Sequence, residues 1–172
     1  MDIIRVLRAW EEVEGKMAAL YQQYGQWFQR DAEAGDLFNR ISLQETAHRN
    51  VISFEIKMVS QNRGSFGEVD VELEPIAQFA ATVNRAQTPP RPPSLEEAVR
   101  LALKLEQQAA AEHFCALLTR QSNAGVEALV KSMHNMRAAN HAHLAELKSF
   151  AARRGFLPPA SEAVATPAPP AE

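Results

Sequence analysis

Two groupings of Glu and His recur along this chain, and their residue types suit divalent metal. The first is Glu14 followed by Glu45-Thr-Ala-His48; the second is Glu106 followed by Asn140-His-Ala-His143. Glu14 and Glu45 stand 31 residues apart, and Glu106 and Asn140 stand 34 apart, so each pair fits two helices folded back through a short turn. Residues three apart share one helix face, so a Glu-x-x-His segment aims both groups at the same interior. Two helices giving Glu and two giving Glu-x-x-His compose the donor set of a carboxylate-bridged dimetal bundle. Carboxylates bridge two divalent ions, imidazoles fill terminal positions, and an open face admits oxygen or peroxide. Five of the six expected donors are Glu14, Glu45, His48, Glu106 and His143. The sixth position holds Asn140, whose amide oxygen can coordinate a hard cation but brings no charge.

A single Glu-x-x-His is weak by itself, because 17 Glu and 5 His in 172 positions produce such a pair by chance about half the time. The apolar pattern around it raises its weight. Glu14, Glu45 and Glu106 fall on or beside apolar stripes, and a buried carboxylate without a partner is costly or has its pKa raised. Three of them with two imidazoles call for a cation. A competing reading sets the same Glu residues just off the core, paired with Lys16, Arg49 or Lys104. Tyr21 and His113 each follow a Glu by seven residues, two helical turns, which suits either packing or hydrogen bonding to a ligand. His134 and His141 share a face without a carboxylate to complete a set, and read as exposed. Cys115 reads as a small buried residue.

The elements needed to hold these groups are helical. Ile3, Val6, Leu7, Trp10, Val13, Met17, Leu20, Tyr21, Tyr24 and Phe28 recur at intervals of mostly three and four, predicting one helix over about 3–28. A polar turn at Gly35 with Asp36 as N-cap would start a second helix carrying Leu37, Ile41, Glu45, His48, Ile52 and Ile56, ended by Gly64. The region 63–93 looks like a long crossover: Val69, Val71 and Leu73 alternate as in a strand, 75–84 could be a short helix, and Thr88 to Pro93 must be extended. Ser94-Leu-Glu-Glu97 is a capping box opening a third helix. A fourth should run from near Asn123 to Arg153-Arg154-Gly155. The expected architecture is all-α, a four-helix bundle of two helix pairs joined by the crossover, over residues 1–156. Residues 157–172, rich in Ala and Pro, read as a disordered tail.

At 172 residues and 46% hydrophobic content, one domain can bury a core without disulfides or structural metal. A net charge of −3 without a basic run argues against nucleic acid. The single Cys fits a reducing compartment, and the first residues resemble neither a signal peptide nor a membrane span, so the expectation is cytoplasmic and not membrane-bound. An apolar helix face could support a homodimer.

On Glu14, Glu45/His48, Glu106 and His143, with the Glu-x-x-x-x-x-x-Tyr run from Glu14 to Tyr21, the chain resembles the rubrerythrin-like branch of the ferritin-like superfamily over about 3–155. The resemblance implies a di-iron, ferritin-like four-helix bundle acting on peroxide or ferrous iron, an oxidoreductase of the peroxidase or ferroxidase type. It implies Glu14 and Glu106 as terminal carboxylates, Glu45 as a bridge, and His48 and His143 as imidazole ligands. Manganese or zinc would suit the same donors. The chain has no Cys-x-x-Cys, so the rubredoxin-type iron site of rubrerythrin is missing and the electron donor would be another protein. With Asn140 in the place of the second bridging Glu, three charges face two ions, so the second iron should bind weakly or not at all. A bundle that binds metal or a partner without turnover is the alternative.

Overall fold

The computed structural model describes residues 2–62, 64, 66, 72–111 and 124–157, without the side chains of 110, 111, 124–128, 130, 133, 134 and 137. The described residues form five helices and no strand: α1 (Ile3–Trp27), α2 (Ala32–Gln61), α3 (Glu74–Gln87), α4 (Leu95–Ala111) and α5 (Ala124–Arg153). Residues 158–172 and the alternating Val69 and Val71 lie outside them. Leu73 precedes α3 with φ −82° and ψ −21°, a helical conformation, so it does not extend a strand.

Local chemistry sets most helix ends. Asp2 caps α1 by accepting from Ile4 N at 2.9 Å. The start of α2 differs from the sequence expectation: Asp31, five residues before Asp36, is its N-cap and accepts from Ala34 N at 3.2 Å. Gly35 lies within the first turns because the chain passes close by; a Cβ there would stand 3.3 Å from Gln29 Cα. Its small size therefore serves the turn between α1 and α2 from inside the helix. The capping box at α4 forms in both directions, with Ser94 N donating to Glu97 Oε2 at 2.7 Å and Glu97 N donating to Ser94 Oγ at 3.2 Å. At the end of α5, Gly155 takes φ +68°, Phe156 N donates to Ala151 O at 2.9 Å, and Gly155 N donates to Ala152 O at 3.1 Å. These paired bonds make a Schellman cap, and Phe156 packs edge-on against Phe150.

α1 lies along α2, and α4 along α5. The predicted apolar stripe of α1 is buried from Ile3 through Tyr24 and joins Leu37, Phe38, Ile41 and Ile52 of α2 in one core. Tyr24 and Phe38 meet edge-to-face at 5.2 Å, and Tyr21 stacks on Phe38 at 6.2 Å. The crossover is mainly α3, which lies against α1 through Trp10 and Phe79 and through Gln87 Nε2 donating to Lys16 O at 2.8 Å. Ion pairs join the helix pairs at α2 and α5: Arg40 with Glu146, Arg153 with Glu33, and Arg154 with Asp31 and Glu33. No helix among the described residues is long and apolar enough to cross a membrane.

Candidate metal centre

The same periodicity that buries the apolar stripes carries acids and imidazoles into the core. Glu14 follows Val13 on the buried face of α1, while Glu45 and His48 lie between Ile41 and Ile52 on the buried face of α2. Glu106 follows Leu105 on α4, and Asn140 and His143 sit one turn apart on α5 ahead of Leu147. All six are at most 8% exposed. Hydrophobic packing thus forces five ionisable groups out of water, where each needs a partner.

The partners are one another. His48 Nδ1 lies 3.2 Å from Glu45 Oε2 and 3.6 Å from Glu14 Oε2. His143 Nδ1 lies 3.0 Å from Glu45 Oε1 and 3.7 Å from Glu106 Oε2. Two triads result, Glu14/Glu45/His48 and Glu45/Glu106/His143, each with ligand atoms within 4.8 Å of one another. Glu45 belongs to both, one oxygen toward each. The two imidazoles stack at 5.4 Å with 26° between their planes.

The pairing leaves polar atoms unsatisfied. Although His143 Nδ1 is at ion-pair distance from Glu45 Oε1, neither ring nitrogen is aligned for a hydrogen bond among the described residues, and Glu106 Oε2 and Asn140 Oδ1 have no partner among them either. Such atoms are costly when buried. Tyr21 donates to Glu106 Oε1 at 2.6 Å, which holds that carboxylate with its other oxygen, the orphaned Oε2, near His143. Donors about 2.0 to 2.2 Å from a common ion stand roughly 3 to 4.4 Å from each other, and the four imidazole–carboxylate separations fall in that span. The donor set, its burial and its orphaned atoms fit divalent cations.

The competing cation partners are elsewhere. Lys16 pairs with Glu12, Arg49 lies against Gly15, and Lys104 is exposed. Among the described residues no Lys or Arg forms an ion pair with Glu14, Glu45 or Glu106. His141 is exposed, while His113, Cys115 and the side chain of His134 lie outside the described residues. Of the two residues expected beside the ligands, only Tyr21 can therefore be placed, and it reaches Glu106 of α4 rather than Glu14 of its own helix.

Without metal, protons serve as the cations. Burial, then the charge of Glu45, pushes the Glu14 carboxyl well above the usual carboxylate range. Burial also raises Glu106 despite the opposing effect of His143. Burial would raise Glu45 too, but His143, His48 and Glu14 outweigh it and hold that carboxyl low. Burial opposes charge on His48 and His143, yet the neighbouring carboxylates prevail and lift them to about 10 and about 9.

Comparison with protein-family models, with curated proteins and with solved structures matches none, so the geometry itself carries the functional argument.

The signs of these shifts predict how stability follows pH. The raised His48 and His143 stabilise the fold fully below the ordinary imidazole pKa of about 6.5, and lose that effect as pH rises through their folded values. Raised Glu14 and Glu106 act in the same sense, whereas the contribution of low-lying Glu45 is lost only on acidification. The melting temperature of chelator-treated protein should therefore fall between about pH 6.5 and about pH 10, and a bound divalent ion should suppress that fall. Calorimetry at several pH values checks this. Equal slopes with and without metal would contradict it.

Proposed function

We propose that this chain is a cytoplasmic, ferritin-like four-helix bundle of the rubrerythrin-like kind, whose buried cluster binds two divalent ions to reduce peroxide or oxidise ferrous iron. The observation that carries the reading is Glu45, whose two oxygens face different Glu/His triads in one core. A carboxylate so placed suits a bridge, with Glu14 and His48 on one side and Glu106 and His143 on the other. Iron is the preferred ion because the reaction class requires a metal with two accessible oxidation states; manganese or zinc would suit the same ligands. Bound iron would supply the redox equivalents, restored by an external electron-donor protein, since the chain has no Cys-x-x-Cys.

The residues around the ions have separable tasks. Tyr21 satisfies one Glu106 oxygen by hydrogen bonding and leaves the other for coordination. The apolar surroundings exclude bulk water, which strengthens the ligand charges. His48 and His143 must release their protons before they coordinate, so metal affinity should increase with pH. Asn140, with its orphaned amide oxygen, can complete one position without adding charge. That missing charge also favours a second reading: a bundle that retains metal or a partner but does not turn over.

Anaerobic loading with ferrous iron, removal of excess and elemental analysis, followed by single-turnover peroxide consumption, tests the proposal. Wild-type protein should retain iron and consume peroxide, and Glu14→Ala should lose both. Retention without consumption supports the binding-only reading; neither retention nor consumption refutes metal function altogether. Restoring the fourth carboxylate with Asn140→Glu should raise iron per chain toward two. Unchanged occupancy would remove Asn140 from the donor set.

A further inference from the structure

Outside the buried acid–imidazole cluster, a cleft of about 350 Å³ is lined by Arg8, Glu11, Glu12, Gly15 and Lys16 of α1 and by Arg49 of α2. The α1 residues recur at three- and four-residue spacing, so they share one helix face, and Arg49 reaches the cleft from the neighbouring helix. None of the six is a candidate metal donor, and the chemistry of the cleft does not depend on metal binding.

The acids of this cleft are already engaged, whereas two of its cations are not. Lys16 pairs with Glu12, and Ser53, one turn past Arg49 on α2, donates to Glu11. Arg8 and Arg49 form no hydrogen bond or ion pair among the described residues. Each guanidinium offers five N–H donors in a planar fork that matches the spacing of phosphate or carboxylate oxygens. Three cations against two acids leave the cleft net positive, in a chain whose total charge is −3.

Gly15 adds an independent observation. It lies in the interior of α1, where glycine is less favourable than alanine. The other two glycines of α1 and α2 have packing reasons: a Cβ on Gly25 would stand 2.2 Å from Asn39 Oδ1, and one on Gly35 would crowd Gln29. A Cβ on Gly15 would meet nothing nearer than 3.4 Å, and there only the flexible Arg49 side chain. Internal packing therefore does not demand this glycine. What the missing side chain provides is room in the cleft beside the Arg49 guanidinium.

We propose that the cleft binds a phosphate-class oxyanion, held by the Arg8 and Arg49 guanidiniums at Gly15. Its volume lies near the lower end of the roughly 300 to 1,000 Å³ of small-molecule sites, which leaves space for a small organic group on the phosphate. Ser53 engages one oxygen of Glu11, and the other can accept from a hydroxyl of that group. Because Arg8 and Arg49 are exposed, salt screens their attraction, so affinity should be modest and should fall as salt is added.

Isothermal titration calorimetry of the metal-free full chain in low-salt buffer, with inorganic phosphate and with glycerol phosphate, tests the site. Both should bind saturably. Equal or weaker binding of the ester identifies free phosphate as the ligand, and tighter binding of the ester shows that the organic group is held as well. Arg8→Gln and Arg49→Gln should each weaken binding at least about fivefold, while Lys104→Gln, which removes an exposed cation of α4, should leave it unchanged. Gly15→Leu should fill the cleft and abolish binding, with helix content by circular dichroism retained. No saturable binding of either probe at millimolar concentration overturns the proposal. So does an arginine variant that binds as wild type does, or a Lys104→Gln variant weakened as much as the arginine variants, which would mean attraction to overall charge alone.

Discussion

Three carboxylates and two imidazoles share a core that contains no Lys or Arg partner for them among the described residues, and that enclosure governs the site. Burying a charge without compensation costs several kcal/mol or forces it to take or release a proton. Here the groups compensate one another, but incompletely: Glu14 and Glu106 are driven toward their neutral forms, the imidazoles toward their charged forms, and atoms of Glu106, Asn140 and His143 lack hydrogen-bond partners among the described residues. An arrangement built only for stability would replace such a cluster with apolar side chains. Exchange of the held protons for divalent ions would resolve the charge and the unpaired atoms together.

The surrounding fold places this cluster by ordinary means. Each helix pair brings one lone Glu and one x-x-x-His segment to the same depth, and α3 with the extended Pro-rich stretch spans the distance between pairs. Tyr21 connects the pairs inside the core by donating from α1 to Glu106 on α4, while Glu45 on α2 meets His143 on α5. Among the described residues the fully buried polar contacts between the halves lie at the site, while the ion pairs of Arg40, Arg153 and Arg154 join the halves nearer the surface, where each adds little. Binding that ties all four helices would couple metal to fold stability.

The candidate ligands were legible because helical periodicity is a strong signal: a Glu within an apolar stripe stands out against the rule that charges face water. The α4 capping box was legible for a similar reason, since Ser94 and Glu97 act over three residues. The start of α2 was not. Asp31 and Asp36 both precede apolar runs, and Gly35 suggests a break until its close approach to Gln29 is known. Nor could spacing show that Tyr21 serves Glu106, 85 residues away, or that the two oxygens of Glu45 divide between triads. The exposure of Leu43, Val51, Phe54 and Met58 was hidden because α2 carries apolar residues on two faces, and only burial separates them.

The most direct measurement is an anomalous-scattering map at the iron edge from crystals equilibrated anaerobically with ferrous iron. The account predicts density beside Glu45, in the triad with Glu14 and His48 and in the triad with Glu106 and His143, one of the two being weaker because Asn140 stands in place of a fourth carboxylate. No anomalous density, with the same carboxylate–imidazole contacts preserved, would contradict it.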